Sequence, residues 1–363
     1  MSNDPGHTLT EPKCARLEKS QLSMREGQSR EAALGGLKDA AKAAFLSVAP
    51  GLQLVEQRIK QRIAADESPF AAIASYLLNL GGKRIRPAIV LLSARLFGQD
   101  EPSAEVVDAA AGIELVHMAT LLHDDIIDES PLRRNNPSVY AKFGLTPTLL
   151  AGDFLWARAY GLCAHLDSFI VSETEQACVA LSCGELIEGK LSLERPVSVE
   201  QYLDIAEKKT AVLFALAALA GAHLAGAHRE DVEAMRRFGL QSGIAFQIAD
   251  DILDITADED LLGKPPGTDL RQKTPSLINV LWLLSGDARA KEFFAQPNPA
   301  LDSCHNARKH LQQSNVLLEC RSMAKEYASQ ARSALQNLCR TDVARANSAN
   351  LLAMVEYIIE RSL

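Results

Sequence analysis

Two short acidic runs, Asp124-Asp125-Ile126-Ile127-Asp128 and Asp250-Asp251-Ile252-Leu253-Asp254, interrupt strongly apolar stretches of this chain, and any fold it adopts has to house both. The residues leading into them, Leu121-Leu122-His123 and Phe246-Gln247-Ile248-Ala249, read as helix. On a helix, residues four apart share a face about one turn from each other. Asp124 therefore converges with Asp128, and Asp250 with Asp254. Carboxylates this close in apolar surroundings repel each other and lose hydration unless something positive offsets both costs.

A hard divalent cation fits that requirement. The triads contain only oxygen donors, which favours magnesium over zinc. Magnesium keeps several waters and completes its shell with few carboxylates plus substrate phosphates, so a polyphosphate ligand is implied. One such triplet alone is more commonly a solvated acidic helix face; two copies, each behind an apolar run, argue against that reading. An EF-hand is excluded, because neither run has the alternating acidic loop with a central Gly and a terminal Glu.

From about residue 40 onward the pattern is helical almost throughout. Aromatics make up 5% of the 363 residues, and no stretch shows sustained period-two alternation with hairpin turns. Gly81-Gly82, Asn135-Asn136-Pro137, Lys264-Pro265-Pro266-Gly267 and Pro297-Asn298-Pro299 punctuate the helical blocks. No linker or repeat divides them. The sequence predicts an all-α fold: one domain over residues 41–363, with ten or more helices packed around the acidic pair, after a polar extension over residues 1–40 expected to be disordered. A net charge of −8 with no long Lys/Arg run argues against a nucleic-acid or anionic-membrane surface. The 7 cysteines form no metal-ligand spacing, as expected of a reduced, cytoplasmic protein. The longest uncharged run, from Ala211 to Ala227, is short for a bilayer span and reads as a buried core helix. The N-terminus lacks a basic-then-apolar signal pattern.

A metal-bound diphosphate remains negative, so its site also needs cations. Gly81-Gly82-Lys83-Arg84-Ile85-Arg86-Pro87 places three after a Gly pair at an apparent helix start, where backbone N–H groups also attract anions. Arg133-Arg134 follows the first acidic run, Lys208-Lys209-Thr210 precedes the apolar helix, and Lys264 and Lys273 follow the second run. Each alone reads as a solvated basic turn. Together they describe a cavity that holds more than one diphosphate.

The segments LLHDDIIDESPLRR, GGKRIRP, AGDFL, KKTA and GIAFQIADDILD closely resemble, in order and spacing, the motifs of trans-polyprenyl diphosphate synthases of the long-chain type, over roughly residues 45 to 363. The resemblance implies the isoprenoid synthase fold, a homodimer, magnesium, and isopentenyl and allylic diphosphate substrates. It makes Asp124, Asp128, Asp250 and Asp254 the metal ligands, with Asp125 and Asp251 completing the two catalytic motifs. Arg133 is implied as the allylic diphosphate contact. Lys83, Arg86, His117 and Arg134 are implied as the cradle for isopentenyl diphosphate, with Arg84 a further substrate-binding residue. The resemblance further implies that Lys209, Thr210 and Gln247 flank the developing allylic cation and that Lys264 adds charge for the leaving diphosphate, with Lys273 a further substrate-binding residue. The reaction needs positioning and electrostatics rather than a side-chain nucleophile.

Thr120 and Ala119, four and five residues before Asp124, sit one turn deeper on the helix face along which a hydrocarbon tail passes, and Val116 follows. In the family, aromatic residues at this level stop growth early, so these small ones point to a product from hexaprenyl to decaprenyl. Geranylgeranyl is the alternative if Trp156 or Tyr160 on a neighbouring helix forms an earlier floor. Two departures from the family pattern stand out. Glu188 in Gly184-Glu185-Leu186-Ile187-Glu188 replaces a Gln, and Asp269-Leu270-Arg271-Gln272-Lys273-Thr274-Pro275 is a shortened loop lacking a Gly. They admit a non-catalytic subunit of a hetero-oligomeric synthase, against which both intact triads argue. A terpene cyclase of the same fold is disfavoured by Lys83, Arg84, Arg86 and the second Asp-rich run.

Overall fold

The computed structural model describes residues 35–64, 69–191, 193, 197–257, 266–336, 338 and 342–360. Within them the chain is almost wholly helical, with more than ten helices. A first helix, α1, covers residues 35–47. It is followed by α2 (Ala49–Ala64), α3 (Pro69–Asn79), α4 (Ile85–Leu96), α5 (Ala104–Ile127), α6 (Val139–Phe143), α7 (Leu145–Cys163), α8 (Ser168–Glu188) and α9 (Val199–Ala206). A single π-helical turn (Glu207–Ala211) leads into α10 (Val212–Leu224) and α11 (Arg229–Thr256). The rest comprises α12 (Thr268–Gln272), α13 (Leu277–Leu284), α14 (Ala288–Ala295), α15 (Leu301–Leu311), α16 (Asn315–Gln336) and α17 (Asp342–Glu360).

Two helices form the centre. In α5 every residue from Val106 to Val116 is buried, and in α10 every residue from Leu213 to Ala222. A helix apolar on all sides has to be surrounded by others: α5 packs on α7, α4, α10 and α2, while α10 packs on α11 and α4. Within the apolar run at 211–227, residues 212–224 thus form a core helix. Helix α5 is long and apolar enough to cross a membrane, yet 78% of its apolar window is buried within the protein. Ser103 starts α5 by accepting a hydrogen bond from the Val106 amide, and the triad Asp124-Asp125-x-x-Asp128 falls at the opposite end.

The second triad ends α11, which runs close beside α10 and the π turn because it carries Gly239 and Gly243 at the crossing. A Cβ on Gly243 would lie 2.4 Å from the Ala211 Cα. Both carboxylate-bearing helix ends are therefore set by core packing.

Two expectations change. Residues 35–40 of the predicted disordered extension are helical, because Ala41 and Ala44 bury one face of α1 and the helix continues upstream of them, while residues 1–34 lie outside the described residues. And the breaker at Asn135-Asn136-Pro137 is part of a hairpin, in which Leu132–Arg133 pairs antiparallel with Asn136–Pro137. Its two turn residues, Arg134 and Asn135, have φ of 56° and 60°, the positive values that a two-residue hairpin turn requires.

Candidate active site

The ends of α5 and α11 border one cleft with two adjoining lobes of about 770 and 780 Å³. Asp124 lines both lobes, Asp128 the outer and Asp250 the inner. Asp124 is half-buried, whereas Asp128 and Asp250 are exposed to the cleft. Burial, together with the charges of Glu185 and Asp128, raises the Asp124 carboxyl to about 7 against the opposing pull of Lys209 and Arg133. Among the described residues no three of His, Cys, Asp or Glu close on one point as a ready-made metal site. The carboxylates instead face a shared gap, an arrangement that suits a cation whose shell is completed by water and phosphate oxygens.

The other three aspartates are spent inside the protein. Asp254 was expected as a metal ligand, but it is 2% exposed and its carboxylate accepts from the backbone amides of Thr268 (3.2 Å) and Asp269 (3.1 Å). It caps α12 and ties back the chain after α11, as a carboxylate at a helix N-terminus does. Asp125 lies one residue, about 100°, around the helix from Asp124. It is fully buried and accepts from Arg133 Nε (2.8 Å) and Nη2 (2.7 Å). Asp251 is buried and accepts from Gln247 Nε2 (2.9 Å) and the Leu277 amide (2.8 Å). Burial raises its carboxyl to about 7, opposed by those hydrogen bonds. Both middle aspartates are held by these hydrogen bonds, and Asp251 also lines the inner lobe.

The basic side chains gather at the inner lobe. Arg84, in a left-handed conformation (φ 50°) ahead of α4, pairs with Glu114 at 2.8 Å. A Cβ on Gly82 would meet the guanidinium ends of both Arg84 and Arg134, so that glycine makes room for the pair. Arg86 stands 5.0 Å from the Phe214 ring centroid, and its buried Nε has no hydrogen-bond partner. Lys83 and His117 line the same lobe. Burial and then Arg86, Arg133, Arg134 and Arg84 hold the His117 imidazole well below its usual value, so it is neutral. Arg133, at the end of the strand, turns to Asp125, while Arg134, in the turn, lines both lobes.

Lys209 and Thr210 lie in the π turn, a distortion often found at functional positions. Thr210 Oγ1 donates to Gln247 Oε1 at 2.7 Å, and Gln247 Nε2 donates onward to Asp251, which fixes the amide's orientation. Lys209 is held by two acids, Glu185 at 2.6 Å and Glu188. Glu188, the departure from the family's Gln, is thus an ion-pair partner rather than an unpaired buried charge. Burial raises its carboxyl, and Lys209 pulls it back. Gly184 allows this approach, since a Cβ there would lie 2.8 Å from Lys208 Cβ and 2.9 Å from Lys209 Cγ.

Two expected cations fare differently. Lys273 borders the outer lobe, but its Nζ donates to the Phe294 carbonyl at 3.0 Å and so is turned to the loop's own support, consistent with the loop's short length. Lys264 lies outside the described residues. The acid that sequence reading passed over is Glu114, only 3% exposed, which balances Arg84 and Arg86. Its signal was an acid within the apolar run before Asp124.

A third, apolar cavity of about 550 Å³ adjoins the cleft, sharing Thr120, Asp124 and Lys209 with it. Ile126, Ile127, Leu149, Trp156, Leu181 and Leu186 line it. Ala119 and Val116 are buried in the core, whereas Thr120 lies at the join. Tyr160 is 66% exposed and is not part of the cavity wall.

An all-α bundle with facing carboxylate-bearing helix ends, an arginine-rich lobe and an adjoining apolar pocket defines an enzyme that handles diphosphates carrying a hydrocarbon. Residues 67–310 match the polyprenyl synthetase family, and the chain belongs to it. It is 35% identical over 318 residues to a nonaprenyl diphosphate synthase of Mycobacterium tuberculosis, covering 87% of this chain and 93% of that one. It is 38% identical over 245 residues to a geranylgeranyl diphosphate synthase of Sulfolobus acidocaldarius, covering 65% and 74%. Its fold matches a polyprenyl synthase from Caulobacter crescentus, crystallised with calcium and isoprenyl diphosphate, with a TM-score of 0.80 at 31% identity over 90% of this chain and 98% of that one. The protein is a trans-prenyltransferase that elongates prenyl diphosphates.

Proposed function

We propose that the enzyme condenses an allylic diphosphate repeatedly with isopentenyl diphosphate, with magnesium as cofactor, to give an all-trans chain from hexaprenyl to decaprenyl. The observation that carries the reading is the division of one cleft into a carboxylate side and an arginine side. Asp124, Asp128 and Asp250 would hold magnesium, whose bound charge neutralises the departing diphosphate. Arg133, braced by Asp125, borders the outer lobe, which we assign to the allylic diphosphate. Lys83, Arg84, Arg86, Arg134 and neutral His117 hold the isopentenyl diphosphate; the unmet donor of Arg86 suits an anion that arrives with the substrate. The Thr210 hydroxyl and the Gln247 amide, fixed by Asp251, present preorganised dipoles where positive charge develops.

The small Thr120 at the join and the neighbouring apolar cavity support a long product. Ile127, Leu149 and Leu186, on its rim, are exposed, so this chain alone leaves the cavity open on that side. Geranylgeranyl is the second reading, favoured by Trp156 in the same wall. Purified protein supplied with farnesyl and isopentenyl diphosphates and magnesium should yield products beyond twenty carbons by mass spectrometry. A series that stops at twenty carbons excludes the long-chain product, and no turnover by the protein alone points to a dependent subunit. We also infer a homodimer and a cytoplasmic setting; the described cysteines, all free thiols, accord with the latter.

A further inference from the structure

One wall of the apolar cavity is an aromatic brace built from two helices. His123, immediately before Asp124 in α5, lays its ring on α7 at Gly152, where a Cβ would lie 2.2 Å from the imidazole Nε2. Only glycine leaves that space. The same Nε2 is 3.4 Å from the Leu149 carbonyl oxygen and 3.6 Å from Asp153 Oδ1. The ring then meets the Trp156 indole nearly edge-on, with centroids 5.7 Å apart at 83°, a favourable aromatic geometry. Among the cavity's lining residues His123 and Trp156 are the only aromatic side chains. The other large apolar walls are Leu and Ile, which adapt by changing rotamer. An indole with two side-chain torsions, pinned by its neighbour, does not yield as easily.

We propose that Trp156, held by His123 against Gly152, is a specificity-determining residue: it is the rigid wall at which the growing prenyl chain must turn or stop. The inference rests on reading this cavity as the hydrocarbon compartment, and it holds for whichever product length the enzyme reaches. It also links the two ends of the substrate, because the brace begins one residue before the carboxylate that faces the diphosphate. Removing either aromatic partner should move the product spectrum.

The test compares products of wild type, Trp156→Ala, Trp156→Phe and His123→Ala by mass spectrometry, with farnesyl and isopentenyl diphosphates and magnesium. Trp156→Ala should lengthen the longest major product by at least one isoprene unit, whatever its rate, and His123→Ala should broaden the distribution. Trp156→Phe, which keeps a ring, should shift it least. An unchanged distribution from folded Trp156→Ala overturns the proposal. A wild type that stops at twenty carbons but lengthens in Trp156→Ala removes the long-chain reading and leaves this one standing. A measurement independent of that variant's folding uses the 2 tryptophans of the chain. Geranylgeranyl diphosphate with magnesium, without isopentenyl diphosphate, should change the wild-type fluorescence and leave Trp156→Phe, which retains only Trp282, unchanged. Equal responses from both proteins also overturn the assignment.

Discussion

At the mouth of the cleft, burial and the nearby acids raise the Asp124 carboxyl to about 7, so it loses its proton at a higher pH than an ordinary aspartate. A group whose pKa is higher in the folded than in the unfolded chain contributes stability that is full below the unfolded value and is lost as pH rises through the folded one. Metal-free protein should therefore lose stability as pH rises from about 4 through about 7, with Asp251 contributing in the same window. Magnesium binds the charged carboxylates, so its addition should raise Tm more at about pH 8 than at about pH 6. Scanning calorimetry with and without magnesium measures this, and equal increments at both pH values contradict it. A second prediction concerns Lys209, which two acids hold at once. Either Glu185→Gln or Glu188→Gln leaves one partner in place and should cost little. The double variant leaves the half-buried ammonium with neither close acid, only the more weakly coupled Asp124, so the loss should exceed the sum of the singles by roughly 0.5–3 kcal/mol in a denaturation cycle. Additive losses show that the two acids act independently.

Placement of whole elements depends on where one backbone can approach another. Gly243→Ala puts a methyl 2.4 Å from the Ala211 Cα, a backbone atom that cannot swing aside. Helix α11 must move off the π turn, which should destabilise the protein by about 1–3 kcal/mol. Gln247, one turn further along α11, then loses its register with Thr210, and kcat should fall more than the stability loss explains. Chemical denaturation and single-turnover kinetics on the folded variant check this; kcat unchanged in folded protein shows that Gln247 keeps its place. The hairpin after α5 is a second such element. Asn135→Val forces a β-branched residue to φ 60°, which costs about 1–2 kcal/mol and loosens the turn that carries Arg134 and follows Arg133. The Michaelis constant for isopentenyl diphosphate should rise severalfold with smaller change in kcat. How far such features were legible follows from range. Asp124 and Asp128 share a face because of helix geometry that is local, so sequence reading places them correctly. Asp254 shares a face with Asp250 by the same rule, yet it is spent on the Thr268 and Asp269 amides, which only the returning chain brings near. The π turn under Lys209 and the fit of Glu114 against Arg84 likewise arise from packing between distant segments.

Among the described residues, α7 and α8 carry a set of exposed apolar side chains. Leu145, Leu149 and Tyr160 recur along α7 at the spacing of one helix face, and Val179 and Leu186 do so on α8; all are exposed, Leu186 by 60%. A soluble monomer rarely leaves such a contiguous set in water. The face also borders the apolar cavity, since Leu149 and Leu186 line its rim. Covering it with a second copy would bury these side chains and close the open side of the hydrocarbon compartment together. A two-fold pairing presents the same patch from both partners, so each substitution counts twice at the interface. The chain should therefore sediment at about twice its 39.4 kDa. Leu149→Glu with Leu186→Glu should shift it toward the monomer, because a carboxylate buried at the interface without a partner is strongly unfavourable. The dissociated enzyme should also give a less sharply defined product, its cavity now open to water. Sedimentation and product analysis on one preparation separate the outcomes: a wild-type monomer excludes the pairing, and a dissociated variant with an unaltered product spectrum shows that the second copy does not close the cavity.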